Sequence, residues 1–151
     1  MKPPRQPGQY WNDMPCPIIN HCLICEDIRL EANRKTSLLG FYGVAPNVRI
    51  LIRDTNQPIR GLALMLLADR GEGTFNFSLR ITGPNGIPLL PPYPPMEMVI
   101  QEREFFNSWC FALGPVVFPH FGRYTFTFEV DGRTHFETSF EVSQGRPQDF
   151  Q

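Results

Sequence analysis

Two cysteines and a histidine near the start of the chain have the most obvious capacity for chemistry. His21 and Cys22 lie shortly before Cys25 in the stretch NHCLICEDIR, and Glu26 and Asp27 follow. Thiolate and imidazole groups at this spacing bind zinc when the chain between them forms a tight knuckle, and paired thiols can form a redox centre. A knuckle normally has a turn-forming residue near the thiols and a second ligand pair elsewhere, and the sequence has neither at comparable spacing.

The same stretch fits an extended β-strand better. Alternation places Cys22, Ile24 and Ile28 on one face and Cys25 and Asp27 on the other. Because residues three apart on a strand point to opposite sides of the sheet, Cys22 and Cys25 cannot chelate one ion or form an unstrained disulfide. We therefore expect buried structural thiols, with no metal and no cofactor. Zinc bound by Cys22 and Cys25 remains a less favoured alternative.

No other segment has a stronger catalytic pattern. His120, in FPHFG ahead of a strand, is the first candidate for a catalytic base, but no recognisable motif supplies it with a nucleophile. The glycine-containing segments RGEG and GPNG lack the lysine and following helix of a phosphate-binding loop. The sequence therefore predicts a protein without catalytic residues, and not an enzyme.

Composition limits the remaining classes of function. The chain has 151 residues, the size of one domain, and 14 basic residues nearly balance 15 acidic ones. A net charge of -1 provides no overall field for nucleic acid or an anionic membrane. No segment is long and apolar enough to span a bilayer, and no secretory signal is recognisable, so we expect a cytoplasmic protein with reduced thiols.

The elements that position these residues are predicted to be strands. Abundant phenylalanine and proline (13 and 16 residues) suit an aromatic-cored β-structure better than helices. Residues 74–81 alternate cleanly, and 62–68 are predicted to be a central strand because glycines limit their length. Shorter strands are predicted at four further places, 37–43, 48–53, 96–101 and 105–113. Turns recur about every ten residues, which is typical of an antiparallel sandwich.

The clearest strands are 124–130 and 136–142, joined around Asp131-Gly132. A two-residue type I′ turn there would set the apolar stripe of one strand opposite the polar stripe of the other. We therefore expect a three-residue loop, Val130-Asp131-Gly132, that brings Phe126 opposite Phe136.

The segments CEDIRLEANRKTSLLGFYG and FPHFGRYTFTFEVDG resemble those of an uncharacterised family of small bacterial proteins. Its members open with a Cys-acid-Asp-aliphatic-Arg strand, carry a Lys-x-Ser-Leu-x-Gly-x-Tyr segment and close on a Gly-x-Tyr-x-Phe strand that ends in Val-Asp-Gly. The resemblance covers residues 22–142. It implies an immunoglobulin-like β-sandwich of about seven to nine strands with no assigned activity. The domain would span 20–143, preceded by a Pro-rich arm (1–19) and followed by a tail (144–151).

Three aromatic residues are the candidate partner-binding groups. Tyr10 and Trp11 belong to the arm, and Tyr93 lies in the PPYPP loop. Large apolar groups seldom remain in water, so we expect the arm to lie along its own sandwich or along a neighbour's in a homodimer, and otherwise to be disordered. The loop is either a rigid crossover or a partner-binding element.

These observations favour a non-catalytic cytoplasmic interaction or assembly module. Its partner would be another protein or a second copy, bound through the arm or an edge strand. The alternative is a small-molecule or carbohydrate-binding sandwich that uses Tyr93, Trp11 or Trp109 as a stacking platform. Trp109 shares parity with Phe111 and Leu113, which predicts that it faces the core.

Overall fold

The computed structural model describes residues 18–33, 35–69, 73–91, 94–100 and 107–151. Within these ranges the secondary structure is nine strands and a short 3-10 helix, Pro147–Phe150. The strands are β1 (Ile18–Leu30), β2 (Thr36–Val44), β3 (Arg49–Ile52), β4 (Leu62–Asp69), β5 (Gly73–Thr82), β6 (Met96–Ile100), β7 (Asn107–Gly114), β8 (Gly122–Val130) and β9 (Arg133–Gln144). The candidate residues Tyr10, Trp11 and Tyr93 lie outside the described residues.

The strands form two sheets that pack as a sandwich, which confirms the all-β prediction. Sheet A has the order β2-β1-β4-β7, and sheet B has the order β3-β9-β8-β5-β6. Neighbouring strands are antiparallel except β3 and β9, which pair in parallel. The chain crosses between the two sheets after β2, β3, β4, β6 and β7, whereas β1-β2, β5-β6 and β8-β9 are neighbours within one sheet.

A tyrosine corner supports the immunoglobulin-like assignment. The hydroxyl of Tyr124, near the start of β8, donates a hydrogen bond of 2.8 Å to the carbonyl oxygen of His120. Such a bond from a tyrosine to the backbone a few residues upstream is a hallmark of immunoglobulin-like sandwiches at this corner. The exposed His120 therefore has a structural role through its backbone.

Aromatic residues fill the space between the sheets. Phe128 of β8 lies 5.5 Å from Phe77 of β5 and 6.4 Å from the indole of Trp109 in β7, measured between ring centroids. The ring planes of Trp109 and Phe128 differ by 13°, so Trp109 stacks on the core as predicted and does not form an outward platform. The second aromatic cluster contains Phe118, Tyr124 and Phe140.

The predicted loop between β8 and β9 is wrong. Val130 pairs with Arg133, so Asp131 and Gly132 form a two-residue turn, and both have positive φ angles, 50° and 79°. The aromatic stripes still meet, because the ladder shifts by one residue beside His135 and sets Phe128, not Phe126, opposite Phe136. The alternation of the two strands correctly indicated that one extra residue is needed to bring their apolar stripes together. A β-bulge inside β9 provides that residue, and the turn does not.

Candidate interaction surface

The two thiols that suggested metal or redox chemistry lie on opposite sides of sheet A, as predicted. Cys22 pairs with Leu66 and belongs to the core between the sheets, whereas Cys25 pairs with Ala63 on the outward side. Among the residues that the structure describes, no group of three or more His, Cys, Asp or Glu is arranged to hold a metal ion.

Burial also makes these thiols poor nucleophiles. It raises the pKa of Cys22 to about 12. Burial likewise raises the pKa of Cys25, and a hydrogen bond of 3.3 Å from Cys25 Sγ to the Asp27 carbonyl only partly offsets this shift. Both thiols are therefore protonated at neutral pH, where thiolate chemistry would need the ionised form. Beside them, Asp27 and Arg29 form a 3.3 Å ion pair on a solvated face, as expected from their alternation.

The outward face of sheet B is polar. Arg80 and Glu129 form an ion pair of 3.3 Å between β5 and β8, and the Ser78 hydroxyl donates to the same carboxylate at 3.3 Å. The Thr127 hydroxyl donates to Glu137 of β9, also at 3.3 Å. Leu51 and Val99, on the edge strands β3 and β6, are its exposed apolar residues. A polar outward face is expected where one side of the sheet is in contact with water.

The middle of the outward face of sheet A is apolar instead. The register of the four strands places two adjacent rows of side chains across it. The first row contains Val44, Leu23, Met65 and Cys110, and the second contains Phe41, Cys25, Ala63 and Ala112. We refer to these eight residues as the apolar face. None of them is charged, and the nearest charged pair is Asp27 with Arg29 at one end of β1.

The residues of the apolar face differ in their exposure to solvent. Phe41 is 55% exposed and Val44 is 39% exposed, on the edge strand β2. Cys25 and Ala63 are fully buried at the centre, and the small side chain of Ala112 continues their row onto β7. The exposed part of the apolar face is therefore at its two edges, on β2 and β7, and its centre is already covered within the chain. Phe41 and Val44 lie close together on β2, and clustered exposed apolar side chains on soluble domains typically mark contact surfaces.

Sequence reasoning did not find this surface, although a signal for it was present. The segment LALMLLA of β4 has no period because Leu62, Leu64 and Leu66 face the core while Ala63 and Met65 face outward, so both sides are apolar. Strands that are buried on both faces read as continuous apolar runs. The absence of alternation predicted a central strand, which is correct, but it also indicated that the outward side of this strand is apolar.

A cleft of about 500 Å³ opens at one side of the sandwich. It lies between the start of β1, the Ala45-Pro46 segment, and β8 and β9, and its polar lining includes His21, Arg123 and Glu137. β2 pairs with β1 only from Leu23 onward, and β3 pairs with β9 only from Glu141 onward. Both sheets therefore have an open strand edge here, among the described elements. We refer to this feature as the edge cleft.

The described part of the chain is a β-sandwich whose two outward faces differ in polarity. No protein-family model matches the chain, and none of the curated proteins does either. The resemblance to an uncharacterised bacterial family stays a prediction. Within the described part of the chain, no helix has the length and apolar character needed to cross a membrane.

Proposed function

We propose that this protein is a non-catalytic interaction or assembly module that binds protein on the apolar face. The observation that supports this function is the contrast between the two outward faces of one sandwich. Sheet B carries ion pairs and hydroxyls on its outward side, whereas sheet A presents two uncharged rows. Folding alone requires only one apolar face per sheet.

The energetic reason is the area that a partner would remove from water. An aromatic side chain has roughly 150–250 Å² of surface, so covering the exposed half of Phe41 would stabilise a complex by about 2–3 kcal/mol at ~25 cal/mol per Å². Val44 is adjacent on β2 and adds to the same patch. We also propose a reducing, cytoplasmic location, which the free thiols of Cys22, Cys25 and Cys110 support.

Two matched valine variants test this function. Val44→Lys places a charge on the apolar face, and Val99→Lys places one on the polar outward side of sheet B, where the valine is 64% exposed. Because both sites are at the surface, both variants should retain the wild-type melting temperature within a few degrees. The tagged full chain is used for affinity capture from its native cells, and light scattering measures its mass.

We expect wild type and Val99→Lys to hold a stoichiometric protein partner, or a second copy, that Val44→Lys releases at least tenfold more readily. If both variants retain the partner or second copy equally well, it does not bind on the apolar face. A wild-type chain that holds neither a partner nor a second copy would contradict the function itself.

A small-molecule or carbohydrate-binding role is the second candidate, and the edge cleft favours it. Its volume of about 500 Å³ lies within the usual range for ligand pockets, and His21, Arg123 and Glu137 offer donors and acceptors. On this alternative, a ligand from a sugar or metabolite panel raises the melting temperature of wild type, and Arg123→Ala abolishes the shift while Val44→Lys does not. If no compound shifts wild type, the alternative fails.

A further inference from the structure

We propose that the edge cleft binds an extended peptide segment of a partner protein, which adds to β9 as a further strand along residues 136–139. None of the eight residues of the apolar face lines this cleft. The proposal therefore goes beyond the function proposed above, because it concerns a different site and a different kind of contact.

The lining of the edge cleft shows that it runs along the edges of strands. Four consecutive residues of β9, 136–139, line it, and so do three consecutive residues of β1, 20–22. Because consecutive side chains of a strand point to opposite faces, a cavity on one face would be lined by alternate residues. The cleft therefore gives access to main-chain N–H and C=O groups, which are the groups that an added strand binds.

The main-chain groups of Glu137 and Ser139 point towards this edge. Where β3 begins to pair with β9, the N–H of Glu141 donates to the carbonyl oxygen of Val48 at 2.9 Å. The direction of main-chain groups alternates along a strand with a period of two, so those of Ser139 and Glu137 point to the same side as those of Glu141. Within the part of the chain that the structure describes, no strand pairs with β9 there, because β3 pairs only from Glu141 onward.

This part of β9 lacks the features that commonly protect an open edge, such as lysine, proline and β-bulges. Residues 136–140 contain neither lysine nor proline. They pair in regular register with β8, because the bulge lies before them, beside His135. The charge of Glu137 lies on the outward side of sheet B, where its carboxylate accepts the Thr127 hydroxyl at 3.3 Å. A length of about 13 Å is thus available to a segment of about four residues.

The side chains beside the edge determine the pattern of the partner segment. Phe136 packs against the core, and Thr138 lies on the same side of β9, opposite the buried Phe126. Glu137 and Ser139 lie on the outward side of the strand. A strand added here directs alternate side chains towards Phe136 and towards water, so its sequence should alternate apolar and polar residues.

The charges of the cleft favour a peptide main chain over an anionic ligand. Arg123 and Glu137 give the lining one charge of each sign, so it offers no net field to a phosphate or a nucleic acid. The open groups of β9 repeat every second residue, as the donors and acceptors of an extended peptide do.

A fluorescent, end-capped heptapeptide of alternating threonine and valine is the probe that tests strand addition. Two isomers are matched controls, one N-methylated on its valines and the other on its threonines, because the N–H groups of only one set can face β9. We expect saturable binding of the parent peptide to the full chain, at least tenfold weaker binding of one isomer, and binding of the other within twofold. Absence of saturable binding, or equal affinity of the two isomers, overturns the proposal.

Amide hydrogen exchange of the full chain shows which edge the peptide binds. In the free protein we expect the amides of Glu137 and Ser139 to exchange freely, and the bound peptide should slow their exchange at least tenfold. Protection of both amides in the free monomer would show that the chain covers its own edge, and it would overturn the proposal. Protection that appears only at high concentration, together with a dimeric mass, assigns the edge to a second copy and overturns it equally.

Two substitutions at one position separate main-chain pairing from side-chain contact. Ser139→Pro removes an N–H that faces solvent, where a strand tolerates proline, and should weaken peptide binding at least tenfold. Ser139→Ala removes the hydroxyl and keeps the N–H, so it should bind within twofold of wild type. Equal weakening by both variants would mean that side chains bind the ligand, as they would bind a sugar, and it would overturn strand addition. The N-methylated isomers need no variant, so they decide the proposal even where Ser139→Pro lowers stability.

The two proposals can fail separately. Val44→Lys and Val99→Lys should both bind the heptapeptide as wild type does, because neither valine lines the cleft. If Val44→Lys releases the native partner but wild type does not bind the peptide, the proposed function stands and strand addition fails. If wild type binds the peptide but Val44→Lys retains every native partner, strand addition stands and binding on the apolar face fails.

Discussion

Raising the pH should destabilise the protein through one buried thiol. Burial in the core holds the pKa of Cys22 at about 12, against 9.0 for the thiol in an unfolded chain. Between these values the unfolded chain loses a proton that the folded chain keeps, so stability is complete below pH 9 and decreases as the pH rises towards 12. One pKa unit corresponds to about 1.36 kcal/mol, so the loss is about 1.4 kcal/mol at pH 10 and approaches about 4 kcal/mol above pH 12.

Urea unfolding at pH 7 and pH 10 under reducing conditions measures this loss. Cys22→Val removes the ionisable group and keeps a side chain of similar volume. We expect wild type to lose about 1.4 kcal/mol more than Cys22→Val between the two pH values. Cys25 also has a raised pKa, so a smaller dependence should remain in the variant. Cys110→Val, at the exposed thiol of β7, is the control and should retain the Cys22 contribution.

An identical loss of stability in wild type and Cys22→Val would refute the reasoning. It would mean that Cys22 ionises as easily in the folded protein as in the unfolded chain. In that case the thiol would be accessible as a thiolate, and the metal and redox alternatives for NHCLICEDIR would regain support.

Two further substitutions test the fold that positions the apolar face. Tyr124→Phe removes the hydroxyl that donates to the His120 carbonyl at 2.8 Å and should lower the free energy of unfolding by about 1–2 kcal/mol in urea; an unchanged value would argue against the tyrosine corner. Gly61→Ala would place a Cβ against the backbone oxygen of Glu26, closer than van der Waals contact allows, and should cost roughly 2 kcal/mol or more. Gly86→Ala, which has open space but a φ of 78°, should cost only about 1 kcal/mol, and equal losses would contradict the steric argument for Gly61.

Strands were predictable where one face is polar and the other apolar. The alternation in 74–81 located β5, which runs from Gly73 to Thr82, because side-chain direction along a strand is a local property. The separation of Cys22 from Cys25 was predictable for the same reason. The hairpin was not, because parity shows that one extra residue is needed without showing where it lies. The structure places it at His135 and leaves Asp131-Gly132 as the two-residue turn that their sequence favours.

The apolar face could not be predicted from any one strand, because four strands that are distant in sequence form it. Leu23 in β1, Met65 in β4 and Cys110 in β7 become one row only through the pairing register, and each alone is an ordinary apolar residue. The outward side of sheet B is assembled by the same rules from Arg80, Glu129 and Glu137, and it is polar. Sheet pairing places both sets equally well, so packing between the sheets gives no reason for the apolar rows on the outward side of sheet A. On the proposed function, the reason is a protein partner that covers these rows.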